Sequence, residues 1–270
     1  METRAIALVI TTLATLAALT APGRLLAAER QATDFATVQR AAEQGGVTEQ
    51  LMLGLMYLHG QGTPKDALKA AQWFQKAALQ GNLAAQKLLG TLYSTGQGVA
   101  KDAMRAAQWL HMAAEQGDPQ AQCDLALMYL EGQDGVPRDA ERAAHWMSVA
   151  AARGFAQAQG VLGELYAQGA GLPHDDAQAV YWWTKAAAQG VTQAQRRLGV
   201  MYMLGRGVAR DPRKGCDLLG ASAERGDADA VAMYSDLCMA PNVNASRPEQ
   251  DKRLKEDLAR HIVEAPDGGE

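Results

Sequence analysis

Apolar and polar positions along this chain follow a helical rhythm that restarts at a fixed interval. Between Asn82 and Gly117, apolar Leu88, Leu89, Leu92 and Tyr93 recur at the spacing of one helix face, and Ala106, Trp109, Leu110, Ala113 and Ala114 do so again. The pattern predicts two amphipathic helices joined by a turn. Strand-like alternation is absent, so an all-α fold is expected.

The unit recurs in register. Tyr57, Tyr93, Tyr129, Tyr166 and Tyr202 are separated by 36, 36, 37 and 36 residues. Trp73, Trp109, Trp146, Trp182 and finally Leu218 follow the tyrosines, and Gly81, Gly117, Gly154, Gly190 and Gly226 close the units. One inserted residue near Asp134 accounts for the longer spacing. Five units are predicted, at 46–81, 82–117, 118–154, 155–190 and 191–226. The turn inside a unit is written GQGTPKD, GQGVAKD, GAGLPHD or GRGVARD in units one, two, four and five. Its glycines allow positive φ, and Asp66, Asp102, Asp139, Asp175 and Asp211 suit the N-cap of the second helix. Lys69, Arg105, Arg142 and Lys214 lie three residues further on, where they support the cap. Small residues (Gly54, Gly90, Ala126, Gly163, Gly199) let the paired helices approach, and the tyrosines and tryptophans are expected to fill the space between them.

Both ends continue the register in degraded form. Ala41 to Gly45 repeats the frame of Ala77 to Gly81, so residues 29–45 are expected to form a lone capping helix. Residues 227–262 read as a divergent sixth unit whose second helix starts at the capping-box pattern Ser246 to Glu249, and 263–270 as a tail. Ahead of the repeats, Arg4 precedes a mostly apolar run from Ala5 to Ala21, with small residues at Ala27 and Ala28. Residues 1–28 therefore read as a signal peptide, with an uncleaved inner-membrane anchor as the alternative. No later run could span a bilayer. A periplasmic or secreted location follows.

Composition removes several function classes. Lys plus Arg number 26 against 30 Asp plus Glu, a net charge of -4, which offers nucleic acid no basic field. The Gly-x-Gly turns lie between helices and lack a following Gly-Lys-Ser/Thr, so they are turns rather than phosphate loops. His59, His111, His145, His174 and His261 occupy non-equivalent positions, and neither a zinc-ligand spacing nor a serine-nucleophile pattern occurs. Met56, Met128 and Met201 share an inward column and read as core. No catalytic residue, cofactor or metal is expected.

Cys216 and Cys238 lie ten residues before and twelve after Gly226, the turn between two antiparallel helices. Their heights then differ by only about 3 Å, and both columns face inward. In an oxidising compartment they suit a disulfide; two buried thiols are the other reading. Cys123 is the odd one.

The segment Ala85 to Gly117, AQKLLGTLYSTGQGVAKDAMRAAQWLHMAAEQG, resembles the Sel1-like repeat, a relative of the tetratricopeptide repeat. The resemblance spans about Gly46 to Gly226. It implies an α/α solenoid, a right-handed superhelix of helix-turn-helix repeats, serving as an adaptor surface without common catalytic residues. The first helices of such solenoids line the concave wall. Positions six before, two before and two after each tyrosine form one variable stripe there: Leu51, Leu55, His59; Lys87, Thr91, Thr95; Cys123, Leu127, Glu131; Gly160, Glu164, Gln168; Arg196, Val200, Leu204. The stripe suits an extended peptide or a partner helix, and equally suits plain solvent exposure.

The expectation is thus a monomeric, non-enzymatic adaptor of the bacterial cell envelope whose partner is a protein or peptide, with no nucleic acid. The alternative is a cell-envelope enzyme or a peptidoglycan- or β-lactam-binding protein like the cysteine-rich Sel1-like group. That group carries a cysteine pair in most repeats, whereas this chain has three cysteines in all.

Overall fold

The computed structural model describes residues 34–133 and 135–239. The expected signal peptide, the expected capping box at Ser246 and the tail lie outside the described residues. A helix at 34–43 (α1) is followed by α2 (Val47–His59), α3 (Ala67–Leu79), α4 (Leu83–Thr95), α5 (Ala103–Glu115) and α6 (Pro119–Glu131). Then come α7 (Ala140–Ala152), α8 (Ala156–Gln168), α9 (Asp176–Ala188), α10 (Thr192–Leu204), α11 (Pro212–Glu224) and α12 (Ala228–Tyr234), which runs on as a π-helix, Ser235–Met239. Among the described residues there is no strand, only an isolated bridge between Gln133 and Val136 beside the inserted residue. The chain divides into two compact units, residues 1–101 and 102–270. In the first, α3 packs on both α2 and α4; in the second, each helix from α5 to α12 packs on the next.

Helix starts are set by the aspartate column. The side chains of Asp66, Asp102, Asp139, Asp175 and Asp211 each accept from the backbone N–H three residues on, and so satisfy an otherwise orphan donor. The second carboxylate oxygen meets Lys69, Arg105 or Arg142 in three of the five. Lys69 lies over the preceding ring of Tyr57 and Arg142 over that of Tyr129, and in the fifth repeat Lys214 lies over Tyr202. The N–H of Lys69 accordingly holds the Asp66 carboxyl below the ordinary aspartate range.

The space between paired helices is filled differently from the sequence expectation. The buried column is the residue after the tryptophan: Phe74, Leu110, Met147, Trp183 and Leu219. Gly54 faces Phe74 and Gly163 faces Trp183 so closely that a Cβ would strike the ring. The tryptophans Trp73, Trp109, Trp146 and Trp182 are only half-buried. Trp146 and Trp182 pack at the margin of the core cluster built from α6, α7 and α8, with the ring of His111 edge-on to Trp146. They seal the joints between successive second helices rather than the interior of a hairpin. The reason is helical geometry: adjacent residues diverge by about 100°, so only one of two neighbouring large side chains can point at the partner helix.

A polar column runs through the same core. Gln50, Gln86, Gln122, Gln159 and Gln195 are buried, seven residues before each tyrosine. Each donates its Nε2 to a carbonyl eight residues back, at Ala42, Ala78, Ala114, Ala151 and Ala187. Each of these carbonyls also accepts the closing-glycine N–H, so the glutamine adds a second donor to the end of the preceding second helix from inside the next repeat. Where the residue before the closing glycine is Gln80 or Gln189, its Nε2 donates both to the previous closing-glycine carbonyl and to the Oε1 of Gln50 or Gln159. Where that residue is Arg153 or Arg225, the guanidinium takes the glycine carbonyl alone. Gln122 Oε1 and Gln195 Oε1 are then left buried without a hydrogen-bond partner.

The turns also stack. A Cβ on the second turn glycine would collide with the start of the previous second helix, at Ala67 for Gly98, Ala140 for Gly171 and Asp176 for Gly207. These three turns rest their bare backbone on the start of the preceding second helix, a close approach that requires glycine there.

Candidate functional site

In the first unit the stripe lies on α2 and α4. Leu51, Leu55 and Lys87 are half-buried there, while His59, Thr91 and Thr95 are exposed. The threonine hydroxyls fold back onto their own helix, Thr91 to the Lys87 carbonyl and Thr95 to that of Thr91. Apolar Leu51 and Leu55 stand here beside exposed Met52. A depression of about 460 Å³ opens on another side of the unit, lined by Tyr57, Lys69, Trp73, Lys76 and Leu79 among others. Lys76 Nζ already sits 3.7 Å from the centre of the Trp73 ring, so a cation of the chain covers that aromatic face.

In the second unit the stripe is largely engaged by the protein itself. Glu131 and Gln168 are exposed, whereas Leu127 is half-buried against the α6–α8 core cluster. Glu164 accepts from Gln168 and pairs with Arg197 at 3.2 Å. Arg196 lies between Asp227 at 3.0 Å and Asp229 at 3.1 Å, its side chain mostly covered. Burial pushes the Asp227 carboxyl up, but the Ala230 N–H, Arg196 and the Ser222 hydroxyl outweigh it and hold the group below the ordinary range.

Val200 is a correction to the stripe. It is buried in a cluster with Met203, Leu219 and Met233, with Leu204 packed at its edge. The cause is the divergent sixth unit: Met233 of α12 covers this end of α10, which the repeat register of units one to four could not reveal. Cys123, in the same stripe, is fully buried with its Sγ 3.8 Å from Met147 Sδ, and burial pushes its thiol up to about 12.

The structure joins Cys216 and Cys238 in a disulfide with Cα atoms 5.7 Å apart. Cys238 stands in the tyrosine column and Cys216 in the column of Ala71, Ala107, Ala144 and Val180. At the preceding joint, Tyr202 packs against the cluster holding Val180. The bridge therefore puts a covalent bond where the preceding joint has a ring against an apolar cluster.

The sequence reading passed over a basic column. Lys65, Lys101, Arg138, His174 and Arg210 each precede a capping aspartate. His174 Nδ1 bonds the Ala167 carbonyl and Arg210 Nε donates to the Met203 carbonyl, so these bases close the C-termini of first helices. Their signal was visible as a fixed charge sign at a fixed repeat position. Among the described residues no cluster of three or more His, Cys, Asp or Glu could hold a metal ion, and no helix is long and apolar enough to cross a membrane.

Successive pairs of 13-residue helices joined by Gly-rich turns define an all-α solenoid of helical repeats. The Sel1 repeat profile matches five times, at residues 50–82, 83–118, 119–155, 156–191 and 192–227, and the chain belongs to the Sel1 repeat family. It is similar to the crystal structure of a protective antigen present in uropathogenic Escherichia coli strains, which displays an SLR fold. That likeness is 35% in identity with a TM-score of 0.70, over 83% of this chain and 48% of the other, so this chain spans about half the antigen's crystallised length. It is also similar to a Sel1 repeat protein from Oxalobacter formigenes, with 28% identity and a TM-score of 0.66, over 87% of this chain and 93% of that one. No curated protein matches. Sel1 repeats generally mediate protein–protein interaction, and the fold is typically a non-enzymatic scaffold.

Proposed function

We propose that the protein is a non-catalytic adaptor of the bacterial cell envelope, periplasmic or secreted, that binds a protein or peptide partner through the first-helix face of its repeats. The observation that carries this reading is the contrast along the stripe. In the second unit Glu164 and Arg196 are consumed by pairs within the chain, whereas the first unit presents half-buried Leu51 and Leu55 beside exposed His59, Thr91 and Thr95. Apolar anchors ringed by small polar groups suit a peptide or helix partner. The disulfide supports an oxidising compartment.

The test places a photo-crosslinking residue at Thr91 or Thr95, and at Gln72 or Gln108 on second helices as controls, with exposure to envelope extract. A discrete crosslinked species from the α4 positions alone is expected. Crosslinking from the second-helix positions alone would reject the first-helix face. Turnover of β-lactams or cell-wall fragments by the purified chain would favour the enzymatic alternative instead.

A further inference from the structure

We infer that the turn of the fifth repeat, carrying Arg206, Arg210, Arg213 and Lys214, is a second docking surface that takes an acidic segment of a partner protein; the inference rests on the adaptor reading above. Four bases and one acid, Asp211, fall within nine residues of a chain whose net charge is -4. All four bases are exposed.

Two of them have roles that the fold accounts for. Arg210 closes the end of α10 through the Met203 carbonyl, as His174 closes α8, and Lys214 follows the cap and bonds the Tyr202 hydroxyl at 2.7 Å. Equivalents of both recur in other repeats. Arg206 and Arg213 do not recur: their positions hold Gln61, Gln97, Gln133 and Ala170, and Leu68, Met104, Glu141 and Ala177. Arg206 is held by Asp176 in a two-bond pair at 2.9 and 3.0 Å, exposed at the surface, where such a pair contributes little to stability. Arg213 makes no hydrogen bond or ion pair among the described residues. It stands in the first turn of α11, where a positive charge opposes the helix dipole. Within the described residues the fold makes no use of Arg213, and its charge is left for a ligand.

Guanidinium forks match carboxylates in geometry as well as charge. No large apolar side chain is exposed between Tyr181 and Val231, so this edge lacks the anchors that would seat it in a bilayer, and an acidic protein segment is the better occupant.

The probe is a fluorescein-labelled decapeptide of alternating Glu and Ser, with a Gln/Ser decapeptide as control, in fluorescence anisotropy with the full chain at about 50 mM salt. Saturable binding of the acidic peptide only, weakened about tenfold by R206Q/R213Q and about threefold by R213Q, is expected, as is decline with added salt. The melting temperature of R213Q should match that of the parent, which separates lost binding from lost fold. Equal binding by parent and R206Q/R213Q would overturn the proposal. So would sedimentation with phosphatidylcholine vesicles containing 30% phosphatidylglycerol without binding to the acidic peptide, since the partner would then be a lipid surface. Crosslinking at Thr91 that persists in R206Q/R213Q alongside unchanged peptide binding would sink this surface and leave the first-helix reading standing.

Discussion

Gln122 and Gln159 occupy the same position in adjacent repeats yet differ in their neighbours. Gln159 Oε1 accepts from Gln189, while Gln122 Oε1 is buried without a partner because Arg153 stands where a glutamine would supply the donor. Arg153→Gln should therefore raise stability by about 1 kcal/mol, read as a higher urea midpoint at unchanged slope. Gln159→Ala, which removes the bonds to the Ala151 carbonyl and from Gln189, should cost about 2 kcal/mol. At Val200 a charge would enter the cluster of Met203, Leu219 and Met233, so Val200→Glu should melt the C-terminal repeats, whereas exposed Thr91→Glu should leave thermal melting nearly unchanged. Cys123, fully buried and with its thiol pushed up to about 12, should resist maleimide in the native protein and react once urea unfolds it.

Helices and turns were legible wherever one residue type repeats. Tyrosine, closing glycine and capping aspartate recur as themselves, so the hairpin and its register could be read without coordinates. The column between the helices could not, because Phe74, Leu110, Met147, Trp183 and Leu219 share size and burial but not chemistry, and the conspicuous tryptophans beside them drew the assignment. The glutamine column is equally regular but polar, and its burial depends on carbonyls in the neighbouring repeat. Val200 was illegible for a related reason: what covers it comes from the repeat that has diverged most. The stacked turns give a paired test. Gly154 and Gly171 both have positive φ, but a Cβ on Gly154 meets open space and one on Gly171 meets the backbone of Ala140. Gly154→Ala should cost about 1 kcal/mol of conformational strain, and Gly171→Ala about 3 kcal/mol or more, by chemical denaturation.

Across the whole molecule, the Asp227 carboxylate and the Cys216–Cys238 disulfide put a pH-sensitive and a redox-sensitive group at one C-terminal joint. Asp227 is held below its ordinary range in the folded protein, so its contribution is present at neutral pH and is lost as pH falls below about 4 through the folded value. Hydrogen exchange in α11 and α12 should rise at pH 3 before it does in α8, which has no carboxylate at its N-cap, and Asp227→Asn should flatten that difference. The Cys216–Cys238 bridge acts on the same joint. It closes a loop over a sequence separation of 22, worth about 3 kcal/mol where the native geometry is unstrained, and reduction should open α12 first. The bond also decides how the chain would bear tension. Pulled from a point beyond Cys238, the load passes straight to α11 at Cys216, and the residues between the two cysteines carry none of it. About 75 Å of slack stays locked within the loop until the sulfurs part, so an optical-trap trace of the oxidised chain should end shorter than that of the reduced one by roughly that length.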